Sequence, residues 1–183
     1  MKLSKSQFEK LLQQKQLTLS LIGMSNIGKT HWSKKFVEIN FKHINCDDLI
    51  EAKLAPVLKK LGYSGIEDVS RWLGQPYDER FSVNQEKYLS LEKAVMENIL
   101  AQINKEKQNV VIDTTGSVVH TGENICNELK QKSLVVYIEA GEDMKELMFK
   151  KYIKKPKPVV FGDVFDIKKN ETPKEALKRC YKE

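Results

Sequence analysis

A stretch near the N-terminus combines two glycines, a lysine and a threonine. Residues 23–30 read Gly-Met-Ser-Asn-Ile-Gly-Lys-Thr and match the pattern G-x-x-x-x-G-K-[ST] at every fixed position. In this pattern backbone N–H groups surround phosphates, Lys29 reaches the β- and γ-phosphates of a nucleotide, and the hydroxyl of Thr30 binds Mg²⁺. The residues predicted to bind a nucleotide are therefore Met24, Ser25, Asn26, Ile27, Gly28, Lys29 and Thr30.

The residues on either side of this stretch fit the same chemistry. Residues 17–22 form a short apolar and β-branched run, which predicts a buried strand. Trp32, Phe36 and Val37 recur at helical spacing, so a helix is expected to begin inside the motif. A helix N-terminus carries partial positive charge and attracts an anion. We therefore expect the chain to bind ATP together with Mg²⁺.

Carboxylates follow two further predicted strands. Asp47 and Asp48 come after residues 41–46, and Asp113 ends the apolar run 109–113. Ligands of open parallel sheets bind beyond the carboxyl ends of the strands, so these groups are expected to meet in one cleft. We predict that Asp113 holds Mg²⁺ opposite Thr30. Asp47 is predicted to hold a hydroxyl of the phosphoryl acceptor and to accept its proton. Helix N-capping remains the alternative for Asp47 and Asp48.

Strands alternate with helices along the chain, which predicts an α/β fold with a mostly parallel, doubly wound sheet in a single domain spanning residues 1–183. Pro56 is expected to divide the helix after Asp48 into two. Ser6 and Glu9 resemble a capping box, and Thr172 with Pro173 predicts another helix start. The other predicted elements are helices at 4–16, 66–73, 84–105, 122–132 and 142–153 and a strand at 134–138.

Composition limits the possible partners. The chain has a net charge of +6, 40% hydrophobic residues and three cysteines without metal-ligand spacing, so no zinc site is expected. No apolar run approaches membrane-spanning length and the first residues do not resemble a signal peptide, which predicts a cytoplasmic protein without a membrane partner. We expect a monomer. Nucleic acid is not an expected partner, because aromatic and basic residues do not interleave.

These motifs together resemble the shikimate kinase family, small kinases related to the nucleoside-monophosphate kinases. The resemblance covers residues 17–160 and rests on 22–30, 45–51 and 115–118, with Lys157 and Pro158 where the family has the Arg-Pro of its lid. It implies a P-loop NTPase fold of three layers, ATP-dependent phosphorylation of a hydroxyl on a small molecule, and a lid, here at about 154–170. It also implies that Lys157 contacts the nucleotide, and that Asp47 binds the acceptor together with Thr114, Thr115 and Gly116, which stand in the place of a glycine triplet.

Several positions depart from the family pattern. Asn45 replaces an aspartate that helps to hold Mg²⁺, and Leu89 replaces the arginine that binds the acceptor carboxylate. Arg71 or Arg80 could substitute for that arginine. The family's fifth strand is expected to be absent, which leaves a sheet of order 2-3-1-4. Two alternatives remain open: a nucleotide-binding protein without kinase activity, and a kinase of nucleotides or nucleic acids. A GTPase is disfavoured, because residues 104–107 lack the aspartate of an Asn-Lys-x-Asp element.

Overall fold

A computed structural model describes residues 2–103, 105, 107–162 and 164–182. Within these residues the chain forms a four-stranded, all-parallel sheet whose strand order is β2-β3-β1-β4, as predicted. The strands are β1 (Thr18–Ile22), β2 (Lys42–Asn45), β3 (Val110–Asp113) and β4 (Leu134–Tyr137). The α-helices are α1 (Lys5–Gln13), α2 (Lys29–Glu38), α3 (Cys46–Lys60), α4 (Ile66–Leu73), α5 (Phe81–Gln102), α6 (Glu123–Lys132), α7 (Glu142–Lys154) and α8 (Pro173–Lys182), and a 3₁₀-helix spans Val118–Thr121.

The two faces of the sheet are covered by different helices. Leu19, Leu21 and Val111 belong to a small apolar cluster that packs against α1 and against Phe36 of α2. Ile112 points to the other face, because side chains alternate along a strand. There it joins a larger cluster built from α3 to α8. Helices on both faces of a parallel sheet make a three-layer α/β arrangement.

The first helix is shorter than the predicted 4–16, and its N-cap lies two residues before the predicted one. Ser4, rather than Ser6, is its N-cap, and the Ser4 backbone N–H donates to Oε1 of Gln7 at 2.8 Å while Oγ of Ser4 accepts from the Gln7 N–H at 3.3 Å. This is a capping box with glutamine in place of the expected Glu9. The helix ends at Gln13, and Lys15 adopts a positive φ of 56°.

Pro56 does not interrupt α3, so the expected division into two helices was wrong. The helix runs without a break from Cys46 to Lys60. Proline removes one backbone donor from a helix interior. Leu54 and Leu58 lie one turn apart, and both are buried in the larger cluster. Burial of this face offsets the missing hydrogen bond.

Helix α5 lies about one turn N-terminal to its predicted position. It begins at Phe81, whose backbone N–H donates to the carbonyl of Asp78 and whose side chain is buried. The predicted last turn includes Asn104, which lies outside the described residues. By contrast, the short helix predicted at 66–73 is confirmed with the same bounds.

The segment between α7 and α8 has neither helix nor strand in its described part, residues 155–162 and 164–172. Val160 and Phe161 are buried in the larger cluster, and the ring of Phe161 contacts that of Phe165 at 6.1 Å. The segment predicted as a lid is therefore anchored at its middle. Helix α8 begins as predicted: Thr172 and Glu175 exchange hydrogen bonds before it, and Pro173 is its first residue. Among the described residues, no helix is both long enough and apolar enough to cross a membrane.

Candidate functional site

The loop between β1 and α2 requires glycine at its first position. Gly23 has a φ of +142°, and a Cβ there would lie 2.6 Å from the carbonyl oxygen of Ile138, just after β4. Gly28, at the N-cap of α2, has a φ of +111° but no atom within 4 Å of the position of a Cβ. The chain therefore passes against the end of β4 and turns into α2, where the first N–H groups have no partner inside the helix.

Lys29 is folded back over the start of this loop. Its side chain is buried, and its ammonium donates to the carbonyl oxygens of Gly23 at 2.7 Å and Met24 at 3.0 Å. Burial lowers the pKa of Lys29, while the carboxylates of Asp47 and Asp113 raise it. The carbonyl dipoles and the two carboxylates offset part of the cost of burying the Lys29 ammonium.

The predicted site residues meet at a cavity of about 260 Å³, which we call the loop cavity. Its lining residues come from the loop, α2, α3, α4, the end of β3 and the segment around the end of α7. They are Ser25, Asn26, Gly28, Lys29, Thr30, His31, Asp47, Ile66, Glu67, Asp113, Gly116, Lys151, Lys155, Lys157 and Pro158. The sequence did not single out Ile66, Glu67 or His31, because no motif marks them.

Asp113 lies at the end of β3, directly beside β1. It is 3% exposed, and its Oδ2 lies 3.4 Å from Nε2 of His43 on β2. Thr30 borders the same cavity. A hydroxyl and one carboxylate are residue types that fit Mg²⁺, which takes oxygen ligands and commonly completes its shell with water and phosphate oxygens. The described residues contain no cluster of three or more histidine, cysteine or acidic side chains that could hold a metal by themselves.

Asp47 lies in the first turn of α3, and its position depends on Asn45. The side chain of Asn45 accepts a hydrogen bond from the Asp47 N–H at 3.0 Å, so the N-cap is Asn45 rather than either aspartate. Burial raises the pKa of Asp47 to about 6, against the opposing charges of Lys157 and Lys29. Asp47 faces the loop cavity, whereas Asp48 is exposed and lies outside it. A carboxylate with a pKa near neutrality can accept a proton.

The three residues after Asp113 do not all face the cavity. Thr114 and Thr115 are 1% and 2% exposed, and the hydroxyl of Thr114 donates to the carbonyl oxygen of Leu21 at 2.7 Å. Gly116 does border the cavity, and a Cβ there would lie 3.0 Å from the backbone nitrogen of Ser25. Of the four residues predicted to bind the acceptor, Asp47 and Gly116 therefore border the cavity. The two threonines are buried and do not line it.

Glu92 is the main feature that the motif analysis did not assign. This glutamate of α5 is fully buried, and its carboxylate accepts hydrogen bonds from the hydroxyls of Thr115 and Ser117, the latter at 2.7 Å. Burial raises the pKa of Glu92 to about 7. The sequence did indicate that Glu92 is buried, since it lies on the same helical stripe as the buried residues Tyr88 and Val95.

A second, mostly apolar cavity of about 460 Å³ lies on the other side of the loop; we call it the apolar cavity. It includes Met24 and Ile27, which the sequence assigned to nucleotide binding, and it meets the loop cavity at Ser25 and Gly116. The hydroxyl of Tyr181 in α8 donates to the carbonyl oxygen of Ser25, which borders both cavities, at 3.2 Å. This hydrogen bond links the end of α8 to the loop.

The candidate arginines lie elsewhere. Arg71 pairs with Asp68 at 2.7 Å on the exposed side of α4, and Arg80 is exposed before α5. Arg179 binds the carboxylates of Asp166 and Glu171 at 3.0 and 2.9 Å. Among the described residues, no arginine lines the loop cavity or the apolar cavity.

In the comparisons with known proteins, no protein-family model and no curated protein matches the chain.

Proposed function

We propose that this protein is an ATP-dependent phosphotransferase that acts on a hydroxyl of a small molecule, in the manner of the shikimate kinase family. The observation that carries the proposal is the loop cavity. Lys29 with Thr30, Asp47, Asp113 and Lys157 come from four separate parts of the chain, yet all of them border this one space. Phosphoryl transfer depends on positioning and electrostatic stabilisation, and these residue types supply both.

Each group has a role in the proposed reaction. Lys29 leaves its carbonyl partners to bind the β- and γ-phosphates, and Lys157, which borders the same cavity, adds positive charge. Thr30 and Asp113 would hold Mg²⁺, which supplies neutralising charge to the phosphates when bound. Asp47 orients the acceptor hydroxyl and takes its proton.

The transfer itself exchanges one P–O bond for another. The acceptor oxygen forms a bond to the γ-phosphorus, while the bond from that phosphorus to the oxygen bridging it to the β-phosphate breaks. The bridging oxygen keeps the electron pair and leaves as part of ADP, and the hydroxyl proton passes to Asp47. A Cβ at Gly23 or at Gly116 would meet backbone atoms. Glycine at these two positions therefore lets the loop pack closely for this step.

The test is release of ADP from magnesium–ATP in the presence of a panel of shikimate, other polyols and nucleoside monophosphates. Lys29→Ala should lower the rate with any active acceptor by about 100-fold or more, because the variant lacks the positive charge that stabilises the transferring phosphoryl group. Lys34→Ala is the matched control, since Lys34 lies exposed on the same helix and outside the loop cavity. Equal rates in the two variants would refute the role of Lys29. Nucleotide binding without turnover of any acceptor would favour a binding protein without kinase activity.

A further inference from the structure

The four residues that follow β3 are held by hydrogen bonds to two different elements. The hydroxyl of Thr114 donates to the carbonyl oxygen of Leu21 in β1 at 2.7 Å. The hydroxyls of Thr115 and Ser117 both donate to the carboxylate of Glu92 in α5. The Ser117 backbone N–H also donates to the hydroxyl oxygen of Thr115 at 3.2 Å. This short segment is therefore bonded to β1 at its start and to α5 at its end.

Gly116 lies between the two residues that bond to Glu92, and its backbone packs against the loop between β1 and α2. A Cβ at Gly116 would lie 3.0 Å from the backbone nitrogen of Ser25 and 3.5 Å from its Cβ. Ser25 is buried, and its carbonyl oxygen accepts the hydrogen bond from Tyr181. Gly116 and Ser25 both border the loop cavity and the apolar cavity. The contact between these two residues is thus part of the wall of both cavities.

Packing alone does not account for a carboxylate at position 92. Glu92 is fully buried, and burial raises its pKa to about 7, while the hydrogen bonds from Thr115 and Ser117 lower it. Burying a carboxylate is costly unless partners satisfy it, and an apolar side chain would fill the same space without that cost. The carboxylate adds two acceptor oxygens. Oε1 accepts from the hydroxyl that precedes Gly116, and Oε2 accepts from the hydroxyl that follows it.

We propose that Glu92 is a positioning residue that keeps the backbone of Gly116 against that of Ser25. Ser25 belongs to the loop proposed to surround the phosphates, and Gly116 to the part of the cavity proposed to receive the acceptor. Their contact sets how the transferring phosphoryl group meets the acceptor hydroxyl, and a misplacement of about 1 Å can slow a reaction by about 100-fold. Glu92 borders neither cavity, so it acts through the residues that it holds. This inference rests on the proposed kinase function.

Three variants separate hydrogen bonding from packing. Glu92→Met keeps the approximate length of the side chain and removes both carboxylate oxygens. Glu92→Gln keeps one acceptor oxygen and gains a donor, and the hydroxyls of Thr115 and Ser117 lie 3.2 Å apart, so one can donate to the other. Ile99→Ala is the matched control, because Ile99 is buried two turns further along α5 and makes its contacts through apolar atoms.

The first measurement is steady-state turnover of magnesium–ATP with an acceptor that the wild type phosphorylates. Glu92→Met should lower kcat by about tenfold or more and change the KM of magnesium–ATP by less than about threefold, because alignment is lost while Lys29 and Thr30 remain. Glu92→Gln and Ile99→Ala should keep kcat within about threefold of the wild type. An unchanged kcat in Glu92→Met, or an equal loss in Glu92→Gln or in Ile99→Ala, would overturn the proposal.

A second measurement does not depend on activity. In amide NMR spectra of the free protein, the Ser25 N–H signal should shift or broaden in Glu92→Met and stay near its wild-type position in Glu92→Gln and Ile99→Ala. An unmoved Ser25 signal in Glu92→Met would refute the positioning role, whether or not the protein is a kinase. A shifted signal in a protein whose wild type phosphorylates no acceptor would support the contact and refute the kinase function, and with it the catalytic consequence of the contact.

Ser117→Ala is the second variant if Glu92→Met does not fold, as circular dichroism would show. It removes one of the two hydrogen bonds to Glu92 and leaves the bond from Thr115 in place. The changes in kcat and in the Ser25 signal should have the same direction as those expected for Glu92→Met and be smaller. If a folded Ser117→Ala variant shows neither change, the proposal fails.

Discussion

The proposed nucleotide half and the proposed acceptor half of the loop cavity are built in different ways. The nucleotide half comes from residues 23–30, one contiguous stretch whose backbone turns at Gly23 and Gly28. The acceptor half is assembled from the starts of α3 and α4 and from Gly116. A contiguous loop carries its chemistry in a local pattern, whereas a wall made of separate helices does not. The chemical class of the acceptor therefore has to be inferred from the side chains that the fold brings to the cavity.

The largest effect that separates the two halves is expected for Asp47→Asn. This change keeps the size of the side chain and removes the proton acceptor, so turnover should fall by about 100-fold or more. Affinity for magnesium–ATP, measured by calorimetry, should change little. If nucleotide affinity falls together with turnover, Asp47 belongs to the nucleotide half and the division is wrong.

Two glycines test how closely the nucleotide half is packed. Gly23→Ala and Gly28→Ala both impose a positive φ on alanine, which costs about 1–3 kcal/mol. Only Gly23→Ala also brings a Cβ within 2.6 Å of the Ile138 carbonyl oxygen, and overpacking of this kind adds about 1–3 kcal/mol. Urea unfolding should therefore show the larger loss for Gly23→Ala. Equal losses would mean that the loop is not held against β4.

Glu92, buried in α5, gives the stability of the fold a predicted dependence on pH. Its pKa in the folded chain is about 7, against 4.5 for an ordinary glutamate. Between these values the folded chain keeps a proton that the unfolded chain releases. The stabilisation linked to this proton is therefore present below pH 4.5 and is lost as the pH rises through 7.

Glu92→Gln removes this titration. The free energy of unfolding of the wild type should fall relative to that of the variant across the same interval, by about 3 kcal/mol in total. Glu97→Gln, exposed on the same helix, should follow the wild type. Asp47, whose pKa is also raised, contributes a slope of the same sign to every protein in the comparison. Parallel curves for Glu92→Gln and the wild type would contradict the assignment.

The smallest effect is expected for Arg71→Ala. Arg71 is paired with Asp68 on the exposed side of α4, away from the loop cavity. Its removal should leave turnover unchanged and alter stability by less than about 1 kcal/mol. A selective rise in the KM of the acceptor would show that Arg71 reaches the acceptor after all.

The family resemblance implied the observed strand order, and apolar runs and glycine spacing, which are local signals, located the strands and the turn from β1 into α2. Prediction from the sequence failed where long-range packing decides the outcome. Pro56 stays inside α3 because Leu54 and Leu58 are both buried against the core. Thr115 was expected in the acceptor wall, but its hydroxyl bonds to Glu92, far away in the chain. Such pairings depend on how helices pack, which residue spacing alone does not specify.

The most direct test of the central claim is calorimetric titration of magnesium–ATP into the wild type, Lys29→Ala and Lys34→Ala. The account predicts saturable binding to the wild type and to Lys34→Ala, and binding weakened by about tenfold or more in Lys29→Ala, since a charged hydrogen bond contributes about 1.5–3 kcal/mol. No heat of binding with the wild type, or equal affinity in all three proteins, would contradict it.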